Sequence, residues 1–234
     1  MTERSEIGGE GTGTGTAAIT VGGNTANTTA TNAAVIMSAH YHALNVPAES
    51  LTNVVAALDP VANGALTIAA QPPIPCKLQV RIVDANASIS AGTVDLVGVG
   101  TSGQALTQSI PLTGGTQTVT TTDAYASLTS ATVASVAGAA AGDTIGIGTS
   151  AAIGLPATKT PTPASFAVYK ANVDGAAETV GTVDATAGTI TPTTAPNGTR
   201  DFDFWYTYSA TPTQSAHQHA ATGLTATDAG HSHS

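Results

Sequence analysis

Six histidines occur in the 234 residues, and all six stand in His-x-His pairs: His40 with His42, His217 with His219, and His231 with His233. In an extended chain residues i and i+2 point to the same side, so both imidazoles of a pair reach toward one ion. Imidazole ligates transition metals, and a structural site needs four to six donors. One chain supplies two donors per pair, and three chains around a three-fold axis supply six. The pairs are therefore candidate ligands for a transition-metal ion, with a homotrimer as the assembly that completes each site. The plainer reading makes His40 and His42 an ordinary polar pair and leaves the other four solvating a tail.

Other chemistry finds little footing. No Gly-x-Ser-x-Gly nucleophile turn occurs, and "GGEGTGTGT" is not set between a strand and a helix as a phosphate-cradling loop would be. Asp201 and Asp203 share one face of "RDFDFWY", where a glycosidase carboxylate pair is conceivable. Charges that guard an edge strand against pairing are the commoner explanation. In the same stretch Phe202, Phe204, Tyr206 and Tyr208 alternate with Asp203, Trp205 and Thr207. The first set reads as core, whereas Trp205 with nearby tyrosines is the candidate for stacking on a host surface glycan. The expectation is a protein that is not an enzyme.

Composition narrows the classes further. Hydrophobic residues make up 41% of the chain, but much of that is alanine, which buries little area; only 9% of residues are charged and 4% aromatic. A lone chain would have a thin core. The formal charge of −9 removes the means of gripping phosphate backbones or anionic lipid, so neither nucleic acid nor membrane is an expected partner. One cysteine, Cys76, excludes an intrachain disulfide framework and a cysteine zinc site. The polar, acidic start "MTERSEIGGEG" lacks the basic patch and apolar run of a secretory signal, and the expectation is a protein made and used without Sec-type export.

The elements that must position these residues read as all-β. Residues 1–30 form a Gly/Thr-rich extended arm. Residues 31–75 form an anchoring segment with a short helix, capped by Ser50, carrying Leu51, Val54, Val55 and Leu58, and ended by Asp59-Pro60. From 76 to 157, "KLQVRIVDA", "GTVDLVGVG", "QALTQSIPL", "TQTVTTT", "SLTSATVASV" and "DTIGIGT" read as short strands with turn signals between them, an immunoglobulin-like β-sandwich. A proline-punctuated linker spans 158–165. A smaller C-terminal β domain follows at 166–210, holding seven of the nine aromatics. Residues 211–234 form a tail with two of the His-x-His pairs.

The tail string "AGHSHS" and the pairs His217/His219 and His231/His233, set in Gly/Thr/Ala-rich sequence, resemble the long tail fibres of contractile-tailed phages. The resemblance implies three intertwined chains whose histidine pairs bind metal octahedrally. The stretch from "LQVRIVDANASISAGTVDLVGVG" through "GGT", "YASLTSATV" and "GDTIGIG" to "GLP" resembles β modules of tailed-phage virion proteins. It implies a place on the virion surface, after assembly in the host cytoplasm. The expected function is a capsid decoration or head-fibre protein that meets the major capsid protein or other virion proteins. The alternatives are a tail-fibre, baseplate or tail-tip component with a metal-bound trimeric stalk, and a bacterial surface-layer or adhesin-like β protein.

Overall fold

The computed structural model describes residues 35–58, 61–156 and 166–210. All regular structure in these residues is β, arranged in two antiparallel sheets. The strands are β1 (Val35–Ala43), β2 (Val55–Leu58), β3 (Gly64–Ala65), β4 (Cys76–Val83), β5 (Ala91–Gly100), β6 (Ala105–Pro111) and β7 (Gln117–Ala137). They continue with β8 (Thr144–Gly154), β9 (Phe166–Val173), β10 (Ala176–Glu178), β11 (Thr182–Asp184), β12 (Thr189–Thr191) and β13 (Phe202–Ala210).

The larger sheet runs in the order β11-β12-β8-β4-β7-β5-β6, with β2 beside β8 and β3 beside β7. Leu78, Val80 and Ile82 of β4 are fully buried, as their spacing of two requires, and pack with Ile145 and Ile147 of β8 and with Val94, Leu96, Leu106 and Ile110 of β5 and β6. The segments "TQTVTTT" and "SLTSATVASV", expected as two strands, are the two ends of β7. Its first part pairs with β4 as far as Tyr125, and its second part pairs with β5 from Tyr125 onward. The ladder breaks at this handover, where the side-chain amide of Gln71 bonds both the N–H and the C=O of Leu128, as a neighbouring strand would. Gly98 leaves room there for the Tyr125 ring, since a Cβ would meet Tyr125 Cδ1 at 2.8 Å.

The helix expected from Ser50 to Asp59 is absent: residues 51–54 bend and 55–58 form β2. Hydrogen bonds explain the outcome. Ser50 N–H donates to Thr149 at 2.9 Å and Val54 N–H to Ile147 at 2.9 Å, so the segment spends its donors on β8. Val54 and Val55 are buried, while Leu51 and Leu58 remain 39% and 41% exposed. Sheet pairing here outweighs a weak helical preference. Asp59 and Pro60 lie outside the described residues.

The smaller sheet, β1-β13-β9-β10, covers a second core of Phe166, Ala171, Phe202, Phe204 and Tyr206. That core also holds Ile153, Leu155 and Ile190, so the small sheet packs on the β8–β12 end of the larger one. Lys77 and Asp184, 2.8 Å apart, tie β4 to β11, and Tyr206 donates from its hydroxyl to the Pro156 carbonyl at 2.8 Å. β1 comes from the segment read as an anchor and completes a sheet otherwise built from the chain's last third.

Two buried aspartates organise the loops at one end of the large sheet. Asp143 accepts from Ala85 N–H at 2.9 Å and Ala140 N–H at 2.7 Å; Asp84 accepts from Ser88 and Gly115 N–H, both at 2.8 Å. The Gly115 amide above all, with those of Ser88, Ile89 and Asn86, holds the Asp84 carboxyl below the usual carboxylate range against the opposing effect of burial. A lowered pKa stabilises the fold above the unfolded value of about 3.9, and that contribution is lost as pH falls through the folded value. Urea unfolding midpoints are accordingly expected to fall between pH 5 and pH 3, at roughly the carboxylate range, and to fall less steeply in Asp84→Asn, whose stability is already lower at pH 7.

Candidate functional site

The outward face of the small sheet brings together His40, His42, Lys170, Asp203 and Trp205. β13 lies between β1 and β9, and the register aligns His40, Trp205 and Lys170 in one row and His42, Asp203 and Asn172 in the next. Phe202, Phe204 and Tyr206 turn inward from the intervening positions, so Asp203 and Trp205 must turn outward. The alternation in "FDFWYTY" is thus observed, with Tyr208 half-buried against the same core. The interpretation of Asp201 and Asp203 as edge-strand guards is corrected: β13 is flanked on both sides, and both carboxylates accept hydrogen bonds. Asp201 takes the Asn45 N–H at 2.8 Å.

Asp203 Oδ1 is the acceptor for both imidazoles of the first pair. His40 Nε2 lies 2.8 Å away and His42 Nδ1 2.7 Å away. For an ionised carboxylate, which only accepts, His40 carries its proton on Nε2 and His42 on Nδ1. The two rings are half exposed and Asp203 much less so. In this arrangement both nitrogens are engaged by one oxygen, and among the described residues no group of three His, Cys, Asp or Glu side chains is set to hold a metal ion. His217, His219, His231 and His233 lie outside the described residues.

Trp205 is clasped from both flanking strands. The His40 ring stacks on it with centroids 4.4 Å apart and planes 12° from parallel, and Lys170 Nζ sits 4.1 Å from the ring centroid on the β9 side. The indole thus already has a stacked ring from β1 and a cation from β9. The free aromatic is Tyr169: the register shifts between Trp205 and Tyr206, which makes Tyr169 the extra residue of a β-bulge on β9, and it is 59% exposed. The alternation alone places Trp205 outward but has no means of joining it to His40, 165 positions away along the chain. Sequence reasoning misses Tyr169, Lys170 and the role of Asp203; the acidic residue between two aromatics is the one available sign.

Loss of the acceptor is expected to release both rings. In Asp203→Ala, the slowly exchanging Nε2–H of His40 and Nδ1–H of His42 should vanish from histidine side-chain NMR spectra, with a stability loss on the order of 1 kcal/mol because the pair is half in solvent. Unchanged signals would show that the rings are held by something else.

Elsewhere the reactive inventory is thin. Burial pushes the Cys76 thiol up to about 12, with the Ser150 backbone hydrogen bond opposing, so it is a core residue and not a nucleophile at neutral pH. A shallow depression of about 220 Å³ between β2 and β3 is lined by Val55, Leu58, Leu66 and neighbouring alanines. No helix of the described residues is long and apolar enough to cross a membrane.

A second feature concerns the ends of the small sheet. β1 and β13 pair antiparallel with Val35 opposite Ala210. Residues 1–34 and 211–234 therefore join the described fold side by side, at the same end of one ladder. No protein-family model, curated protein or solved structure matches the chain.

Proposed function

We propose that the protein is a non-enzymatic structural component of a tailed-phage virion, a capsid decoration or head-fibre protein that works as a homotrimer. The observation that carries this reading is the pairing of Val35 with Ala210, which sets the points where residues 1–34 and 211–234 join the fold at one pole. A body with one attachment pole suits a protein fixed to a shell by its termini while its β-sheets project outward. The arm and tail are rich in Gly, Thr and Ala, and such segments lie against a neighbour's backbone with little steric conflict.

The same pole favours one alternative. Three bodies meeting there would bring three tails together, and His217/His219 and His231/His233 would then supply six imidazoles at each level of a tail-fibre or tail-tip stalk. In the arrangement described above, His40 and His42 are committed to Asp203, so the terminal pairs are the better metal ligands.

Immunogold labelling of phage particles carrying this protein tests the placement. Label over the head supports the decoration reading, label along the tail supports the stalk, and unlabelled particles overturn both. Light scattering of the purified chain at three times the monomer mass is the expected assembly state. Metal retained through gel filtration in the wild type but lost in a variant with all four terminal histidines changed to alanine would favour the stalk.

A further inference from the structure

We infer that the free edge of β6 is an interface between copies of this chain, filled by the arm segment Thr16–Val21 of a neighbouring subunit. Among the described residues β6 closes one end of the large sheet and pairs only with β5. The direction of its backbone groups follows from two bonds that bracket the hairpin: Gly100 N–H to Gln104 at 2.8 Å, and Leu112 N–H to Gly92 at 2.8 Å. Hydrogen-bonded pairs recur every second residue in an antiparallel ladder. Leu106, Gln108 and Ile110 therefore bond inward to β5. Ala105, Thr107, Ser109 and Pro111 turn their backbone groups out to the open edge, where the first three offer an N–H and a C=O each and Pro111 a C=O alone.

Protection of this edge is slight. Natural edges are guarded by lysines, bulges, very short strands or proline. β6 has seven residues, carries no charge, and runs beside β5 without a register shift from Ala105 to Pro111. Pro111 is the single guard, and it stands at the strand's last position. The other edges differ: β10 and β11 have three residues each, and β1 leads directly from the arm. A strand left open in this way serves as a template for added β structure.

The occupant is argued from pattern. Residues 11–34 carry no charge, and within them Thr16-Ala17-Ala18-Ile19-Thr20-Val21 is the stretch richest in β-branched residues with apolar side chains at every second position. Ala17, Ile19 and Val21 fall on one face and Thr16, Ala18 and Thr20 on the other. β6 has the same division, with Leu106 and Ile110 buried and Thr107 and Ser109 exposed. Laid beside β6, the arm extends the apolar layer on one side and the threonine surface on the other. A neighbour is the donor because the arm enters the fold on the small sheet, which packs at the β8–β12 end, whereas β6 closes the opposite end of the strand order. The inference holds whether or not the assembly is a virion.

Hydrogen–deuterium exchange on the full-length chain tests it. The outward amides of Thr107 and Ser109 are expected to exchange at least about tenfold more slowly in concentrated than in dilute protein. An Ile19→Pro/Thr20→Pro variant should abolish that protection, since one of two adjacent arm amides must face β6, and these changes leave the body's own residues untouched. Thr107→Lys, which keeps the β6 amide but adds an edge charge, should weaken it as well. Fast exchange at every concentration would overturn the inference. So would protection indifferent to the arm prolines, which means another occupant, or protection that persists in protein dilute enough to be monomeric by light scattering, which means the chain's own arm.

Discussion

Phe204→Ala is expected to lower the unfolding free energy by about 3–5 kcal/mol. Phe204 has no exposed surface, stacks on Phe202 with centroids 6.0 Å apart, and sits in register between Tyr41 of β1 and Ala171 of β9. It belongs to the core that the small sheet shares with Ile153, Leu155 and Ile190. Domains of this kind have total stabilities of about 5–15 kcal/mol, so this one change removes a large share. Trp205→Ala is the informative comparison. Tryptophan is larger, but Trp205 lies on the outward face, and its contacts are a half-exposed histidine and a lysine. A cost of about 1–2 kcal/mol is expected there, from lost stacking and cation–π attraction. Denaturant titration of both variants checks the order, and a Trp205 variant less stable than the Phe204 variant would contradict the assignment of faces.

The same contrast separates what neighbouring residues disclose from what only the folded chain brings together. Period-two burial is legible in "KLQVRIV" and "FDFWYTY", because each reading depends on residues a few positions apart. The division of "FDFWYTY" into a core face and a polar face needs no tertiary information. What Asp203 does on its polar face does require it. Its partners His40 and His42 arrive from a strand more than 160 positions upstream, and no local pattern announces that β1 will pair with β13. The helix expected at 50–59 fails for a related reason: its four apolar positions suit a helix taken alone, but β8 offers carbonyls to Ser50 and Val54 that a lone helix cannot match. The continuity of β7 is hidden as well, since "DAY" looks like a break until Tyr125 is seen packed in the core with Gly98 opposite.

Glycine spacing in β8 carries the information that periodicity does not. In "TIGIGT" the isoleucines Ile145 and Ile147 are fully buried, and Gly146 and Gly148 occupy the opposite face, where the Ser50–Val55 segment lies. A Cβ on Gly148 would collide with the carbonyl group of Ser50, and its further neighbour, the Leu51 carbonyl carbon, would stand 2.7 Å away. Backbone cannot yield as the end of a side chain can. Gly148→Ala must therefore displace the segment, at roughly 1–3 kcal/mol for the crowding and about 0.5–1.5 kcal/mol for each of the Ser50 and Val54 hydrogen bonds that lengthen. A total loss near 3–4 kcal/mol is expected, second to Phe204→Ala, for the addition of one methyl group. Amide exchange distinguishes the mechanism: Ser50 and Val54 should lose protection first, ahead of β4 and β8. Gly103→Asn is the control, because Gly103 has a φ of +77° with open space around it, a conformation asparagine tolerates, and its substitution should leave stability nearly unchanged. If Gly148→Ala proves as mild as Gly103→Asn, the segment is not clamped to β8, and the physical reason given for the missing helix falls with it.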